Sequence, residues 1–337
     1  MMPQSSYTPH GQMSASRREA RPFSFVHVSD PHLPLPGLVP PWRLLNKRFF
    51  GVLSWHVRKK QVHLAGVLDA ISADIRACGA DHIAVTGDLT HLSLESEFRR
   101  ARAWLESLGS SSCVTVIPGN HDTYVKLPWS KGLALWQEFI TGAPEPSTRE
   151  VPVQGREGFP FIRRRGPVAF IGLSSALPMP LATPAAGLLG ADQLARLQDA
   201  LARLRHEGLF RAVLIHHAPD PRLSPRKALL DAEPFLDVLR AEGAELVLHG
   251  HLHEAGVMEV DGRDGAIPVI GVPSASALAH HGRPHARYHI CRLSGTAGSW
   301  HLSVDVREFD PGTGGVRALT RHDWRWQDRC LVGEVIP

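Results

Sequence analysis

Residues 82–88 read His-Ile-Ala-Val-Thr-Gly-Asp, HIAVTGD. The first five form a short apolar run of strand type, and Gly87-Asp88 ends it as a turn does. What flanks this run decides the fold. Upstream, residues 62–77 carry apolar side chains at helical spacing, and residues 23–29 (FSFVHVS) form another strand that runs into Asp30-Pro31-His32. Downstream, residues 93–108 read as an amphipathic helix, with Phe98, Leu105 and Leu108 on one face and Arg99, Arg100 and Arg102 off it. Residues 114–117 are a third strand, closed by Pro118-Gly119-Asn120-His121-Asp122. Strand, helix, strand, helix, strand implies a parallel start to a sheet.

The second half follows the same logic less regularly. Residues 159–163 and 168–173 suggest a hairpin-like pair, 192–207 a helix, and 211–215 a strand that ends at His216-His217. Residues 234–242 read as a helix, and 245–248 as a strand leading to Gly250-His251-Leu252-His253. From residue 267 onward the pattern suggests short strands and turns. No repeat and no linker stands out, so residues 23–337 are expected to form one domain, behind a polar, disordered leader at residues 1–22.

The chain has 337 residues, 43% of them hydrophobic and 21% charged, enough to bury a full core. The net charge of +4 suits anionic partners without singling out nucleic acid. The four cysteines, Cys78, Cys113, Cys291 and Cys330, form no CxxC pair and read as reduced thiols of a cytoplasmic protein. Residues 1–22 lack the apolar run a signal peptide needs, and no stretch of about 18 apolar residues occurs, so no transmembrane helix is expected.

Five strand exits deliver side chains of metal-ligand type: Asp30 with His32, Asp88, Asn120 with His121, His216 with His217, and His251 with His253. Ligand sites of open α/β sheets lie outside the carboxyl ends of strands, so these loops can converge. Imidazole suits zinc and iron, and carboxylate suits manganese and magnesium. A mixed His/Asp/Asn set therefore fits two divalent or trivalent ions that one carboxylate can bridge, and such a pair clamps the attacking and leaving oxygens of an in-line displacement. Each piece alone is more often structural: a Gly-Asp is a common turn and a lone His pair is common packing. The set in this order, each member at a strand exit, carries the argument.

The pattern D-x-H, G-D, G-N-H-[DE], H and G-H-x-H resembles the calcineurin-like metallophosphoesterases. Here it is Asp30-Pro31-His32, Gly87-Asp88, Gly119-Asn120-His121-Asp122, His216 and Gly250-His251-Leu252-His253. The texture Gly87-Asp88-Leu89-Thr90-His91 further resembles the branch that contains class III cyclic nucleotide phosphodiesterases. The resemblance implies a four-layer αββα sandwich. It implies a first metal on Asp30, His32, Asp88 and His253, and a second on Asp88, Asn120, His216 and His251, with Asp88 bridging. It implies manganese, iron or zinc as the metals, manganese being favoured for activity, and a hydroxide between them as nucleophile. His121, not a ligand in this pattern, is implied as the catalytic residue that protonates the leaving oxygen or steadies charge on the phosphoryl group. Of the adjacent histidines, the resemblance selects His216 as ligand and turns His217 away.

One segment departs from a bare crossover. Residues 31–68 contain no Asp or Glu but hold Arg43, Lys47, Arg48, Arg58, Lys59 and Lys60. If residues 42–57 are helical, Trp42, Leu45, Phe49, Val52 and Leu53 share a face. This basic amphipathic insertion, at about 35–60, suits either a lid packed on the sandwich or contact with an anionic membrane surface. The expected activity is hydrolysis of a cyclic nucleotide or similar small phosphodiester. The alternatives are a lipid-linked pyrophosphate hydrolase of the UDP-2,3-diacylglucosamine type at the membrane surface, and a nuclease. Nucleic acid is disfavoured because no other basic stripe with interleaved aromatics appears. His27 is expected to pack inside its strand, and His280, His281 and His285 to lie in a solvated loop.

Overall fold

A computed structural model of the chain describes residues 21–35, 39, 47–57, 62–142, 149–180, 183, 185–328 and 330–331. In chain order the elements are β1 (Phe23–Val28), α1 (Arg48–Val57), α2 (Ala65–Ala77), β2 (His82–Val85), α3 (Glu95–Leu108), β3 (Val114–Val116), β4 (Thr141–Gly142), β5 (Val151–Pro152), β6 (Phe161–Arg165) and β7 (Val168–Gly172). They continue with α4 (Ala191–Glu207), β8 (Phe210–Leu214), α5 (Ala232–Glu242), β9 (Leu246–His249), β10 (Gly256–Gly262), β11 (Gly265–Gly271), β12 (Arg287–Thr296), β13 (Ser299–Asp310), β14 (Gly315–Gln327) and β15 (Cys330–Leu331).

Two large sheets form. The first has the order β15-β14-β13-β12-β1-β2-β3 and the second β10-β11-β9-β8-β7-β6. β1, β2 and β3 run parallel, as do β7, β8, β9 and β11. Alternation along the strands builds the layers. On β8, Phe210, Ala212 and Leu214 join the core shared with the first sheet, whereas Val213 meets Leu197 and Leu201 of α4 and Phe235 of α5 in a second cluster. α2 and α3 bury Val67, Ile71, Phe98 and Leu105 in the first cluster. The result is helix, sheet, sheet, helix, the expected sandwich.

Register positions the site. Val28 pairs with Val85, and Val85 with Val116, so β1, β2 and β3 end side by side. Gly172, Leu214 and Leu248 align in the same way on β7, β8 and β9. Asp30, Asp88 and Asn120 therefore leave one sheet at one edge, and His216 and Gly250 leave the other.

The structure corrects two readings. The region after residue 267 is not made of short strands: β12, β13 and β14 have 10, 12 and 13 residues and form a long antiparallel meander. On β13, buried Trp300, Leu302, Val304 and Val306 alternate with His301, Ser303, Asp305 and Arg307, and the polar alternates made a continuous strand look broken. The helix read from residue 62 starts at Ala65, because His63 bridges Ala277 and the Leu64 N–H donates to the Ser276 carbonyl, holding the segment extended. Trp42, Arg43, Leu45, Arg58, Lys59, Lys60 and most of the polar leader lie outside the described residues. Among the described residues no helix is long and apolar enough to cross a membrane.

Candidate metal centre

The strand exits are bent sharply. Asp30, His32, Asp88, His251 and His253 all adopt positive φ, between 41° and 70°. Such a conformation is uncommon for residues other than glycine, costs on the order of 1–3 kcal/mol each, and clusters where function demands it. The glycines beside them permit close approach. A Cβ at Gly119 would sit 2.2 Å from Asp88 Oδ1, and one at Gly250 would sit 2.3 Å from Asp30 Oδ2. Only a hydrogen fits at either place, so the loops can close on one another.

All seven expected ligand residues are brought to one place. His32 Nε2 lies 3.1 Å from His253 Nε2 and 3.7 Å from Asp30 Oδ1, and His253 Nε2 lies 3.1 Å from Asp30 Oδ1. Asp88 Oδ2 stands between two groups, 3.8 Å from His32 Nε2 and 3.4 Å from His216 Nε2. His216 Nε2 is 3.2 Å from Asn120 Oδ1, and Asp88, His216 and His251 form a compact trio of donor atoms. Donors about 2.1 Å from one ion stand about 3.0–3.4 Å apart in octahedral or tetrahedral geometry, so these spacings fit two cations on either side of Asp88.

Surrounding groups fix which ring atoms face the cluster. His216 Nδ1–H donates to the Thr86 carbonyl at 2.6 Å, which leaves Nε2 for the cluster. His251 Nε2–H donates to the Lys227 carbonyl at 3.1 Å, which leaves Nδ1. This partnering of the remote ring nitrogen is what metal-binding histidines show. His217 turns away: its Nδ1 lies 2.7 Å from Ser175 Oγ, so the structure puts His216 and not His217 beside Asp88 and Asn120. His27 packs in β1, its Nε2 3.0 Å from Thr86 Oγ1.

The charges point to a cation. Burial would raise the Asp88 carboxyl, but His216 and His121 outweigh it and hold the group well below the carboxylate range. Burial would lower His216, yet Asp88 and Asp30 push it up to about 9. A pocket that holds a proton this firmly on an imidazole is one in which a metal ion can replace it.

His121 is arranged differently. Its backbone N–H donates to Asp88 Oδ1 at 2.8 Å, and its Nδ1–H donates to the His91 carbonyl at 2.8 Å. Nε2 is thus the ring atom that can pass a proton to a bound group. The ring stacks on Tyr124, with centroids 5.8 Å apart and planes 7° from parallel.

Three supporting residues carried no assigned role in the sequence. Asp122 is buried and accepts the N–H groups of Asp88 and Gly119 on Oδ2 and that of Thr90 on Oδ1, each at 2.9 Å, which ties the β2 and β3 exits together. Burial and the Asp88 charge push its carboxyl up to about 7, and the N–H groups of Gly119 and Thr90 oppose this. Glu97 accepts the N–H groups of His91 and Leu94 at 2.8 Å and folds that loop back onto α3. His63, buried against His32, gave no signal as a lone histidine within a stretch read as helix.

The insertion reaches the site. Arg48 is buried and donates to the Leu92 and Ser93 carbonyls at 2.8 and 2.6 Å. Lys47 donates to the Met179 carbonyl at 2.9 Å and lies over the Tyr124 ring. These two cations therefore serve the protein itself, which removes them from the set read as available to a lipid surface. Phe49 and Leu53 of the expected apolar stripe are 53% and 54% exposed.

Comparison with known proteins agrees with this geometry. The sequence model of the calcineurin-like phosphoesterase family matches residues 23–255, so the chain belongs to that family and is a phosphoester hydrolase by class. A dimetal phosphatase from Danio rerio is similar in fold at 13% identity, over 89% of this chain and 99% of that one, with a TM-score of 0.54. The purple acid phosphatase PPD1 from yellow lupin seeds is similar at 12% identity, over 89% of this chain and 53% of that one, with a TM-score of 0.55. No curated protein matches the chain by sequence.

Proposed function

We propose that the chain is a phosphodiesterase that holds two metal ions, the first on Asp30, His32, Asp88 and His253 and the second on Asp88, Asn120, His216 and His251. The observation that carries this reading is the position of Asp88 Oδ2 between His32 Nε2 and His216 Nε2, at the join of two groups of donor atoms. The dimetal character of the similar Danio rerio phosphatase supports it.

When bound, such a metal pair lowers the pKa of water and polarises phosphoryl oxygens. The chain's own residues do the rest. Thr86 and Lys227 hold His216 and His251 in one tautomer each. Asp122 and Glu97 fix the loops on which Asp88 and His121 ride. His121, held by the His91 carbonyl and the Tyr124 ring, delivers a proton from Nε2 to the departing oxygen.

A cyclic nucleotide or similar small diester is the substrate we favour, following the Gly87–His91 texture, in a cytoplasmic enzyme. A lipid-linked pyrophosphate is the second reading, favoured by exposed Phe49 and Leu53 on a helix that Arg48 pins to the site. The test is a panel of a chromogenic diester, cyclic nucleotides, a UDP-linked diacyl sugar and single-stranded DNA, offered to chelated protein before and after manganese. Hydrolysis should vanish on chelation and return with metal. Full activity in metal-free protein would end the proposal, and preference for the diacyl sugar would select the second reading.

A further inference from the structure

His63 is a buried imidazole that the seven-residue set does not use. It lies in the extended segment ahead of α2, 5% exposed, its ring edge-on to His32 with centroids 4.7 Å apart and 5.7 Å from that of His253. Ring nitrogens of His63, His32 and His253 lie within 4.8 Å of one another. Its Nδ1 is 2.8 Å from Ser276 Oγ and 3.4 Å from Ser274 Oγ, and Ser274 Oγ donates to the Asp30 carbonyl at 2.7 Å. Like His216 and His251, His63 is held by a polar neighbour, here the Ser276 hydroxyl. Ser276 and Ser274 orient the ring, and Ser274 is joined to the loop that bears Asp30.

A purely structural role accounts poorly for this placement. Three imidazoles packed together cannot share protons without repulsion, and apolar packing would fill the same space without a polar atom to satisfy.

We propose that His63 is an additional protein ligand of the metal held by Asp30, His32, Asp88 and His253, an assignment that rests on the two-metal reading above. A third imidazole shifts that site's preference towards zinc, ferrous iron or cobalt and away from magnesium. It also leaves one position fewer at the first metal for exchangeable groups, so substrate oxygen is steered to the second.

The test uses cobalt as the probe. Metal-free full-length protein is titrated with Co²⁺, with elemental analysis after gel filtration and visible absorption as readouts. Wild type should take up two ions per chain. His63→Ala should weaken one of them by about tenfold or more, as loss of a metal-supporting group does, and should change the visible band of that site while leaving the other ion in place. The proton NMR spectrum of the cobalt-loaded wild type reads the same point without a variant. Five hyperfine-shifted imidazole N–H signals are expected if His63 binds beside His32, His253, His216 and His251, and four if it does not. Unchanged uptake and spectrum in His63→Ala, or four signals in wild type, would overturn the assignment alone. Wild type that takes up no cobalt would overturn the two-metal reading itself.

Discussion

Asp122→Asn changes one atom and should cost the loops their clasp. The carboxylate accepts three backbone N–H groups, two on Oδ2 and one on Oδ1. A carboxamide has one oxygen. Turned to the Oδ2 side it keeps Asp88 and Gly119 and points its NH₂ at the Thr90 N–H; turned the other way it keeps Thr90 and loses two donors. At least one buried N–H is stranded, and a stranded buried donor costs about 1–3 kcal/mol. Above pH 7, where the Asp122 carboxyl is ionised, the bonds that survive also lose their charge assistance, which roughly halves them. The sum is a destabilisation of about 2–4 kcal/mol. Urea unfolding of chelated wild type and variant, followed by far-ultraviolet circular dichroism, measures it. Elemental analysis should also show lower metal occupancy, since Gly119 precedes Asn120 and Asp88 carries both groups. A variant within about 0.5 kcal/mol of wild type with full metal content would refute the reasoning, because the β2 and β3 exits would then be held by something other than Asp122.

His121→Ala should keep its metals but lose turnover by about 10²–10⁴-fold, with a smaller loss for a diester whose leaving group needs no proton; equal losses across leaving groups would reduce His121 to a positioning role. His216→Ala should empty the second metal position while His217→Ala keeps it full, as read by elemental analysis, and the reverse result would move the ligand by one residue. Replacing exposed Phe49 and Leu53 together by Asp, with Lys47 and Arg48 left intact because they brace Tyr124 and the Ser93 loop, should abolish co-sedimentation with anionic vesicles at low salt and spare hydrolysis of a small diester. Wild type that ignores such vesicles would remove the membrane from the account.

Much of the fold and site was legible because the chemistry sits at strand exits, where an apolar run stops and ligand-type residues begin. Phe25 to His32 and Val114 to Asp122 show this directly. The register that aligns Val28, Val85 and Val116 was not legible, yet it is implicit in three parallel strands ending on turns of the same kind. What stayed hidden was long-range. His63 acquires meaning only when Ser274 and Ser276, more than two hundred residues on, fold beside it. Arg48 and Lys47 looked like surface charge because their partners are backbone carbonyls, which leave no trace in a sequence. The meander was obscured by polar residues on its outer face.

The place of β1 in the first sheet bears on how the chain is made. It is an inner strand, with β2 on one side and β12 on the other, and Phe23 pairs with Leu293. Its second neighbour leaves the ribosome roughly tens of seconds after it, at about 5–20 residues per second. Throughout that interval the nascent chain carries a strand with one open edge, and Asp30 and His32 wait for His253. The half that bears most of the sequence signature therefore cannot complete its sheet until β12, Arg287–Thr296, has been made. A release in the tail, far from any ligand, should leave an aggregation-prone fragment rather than a smaller working enzyme.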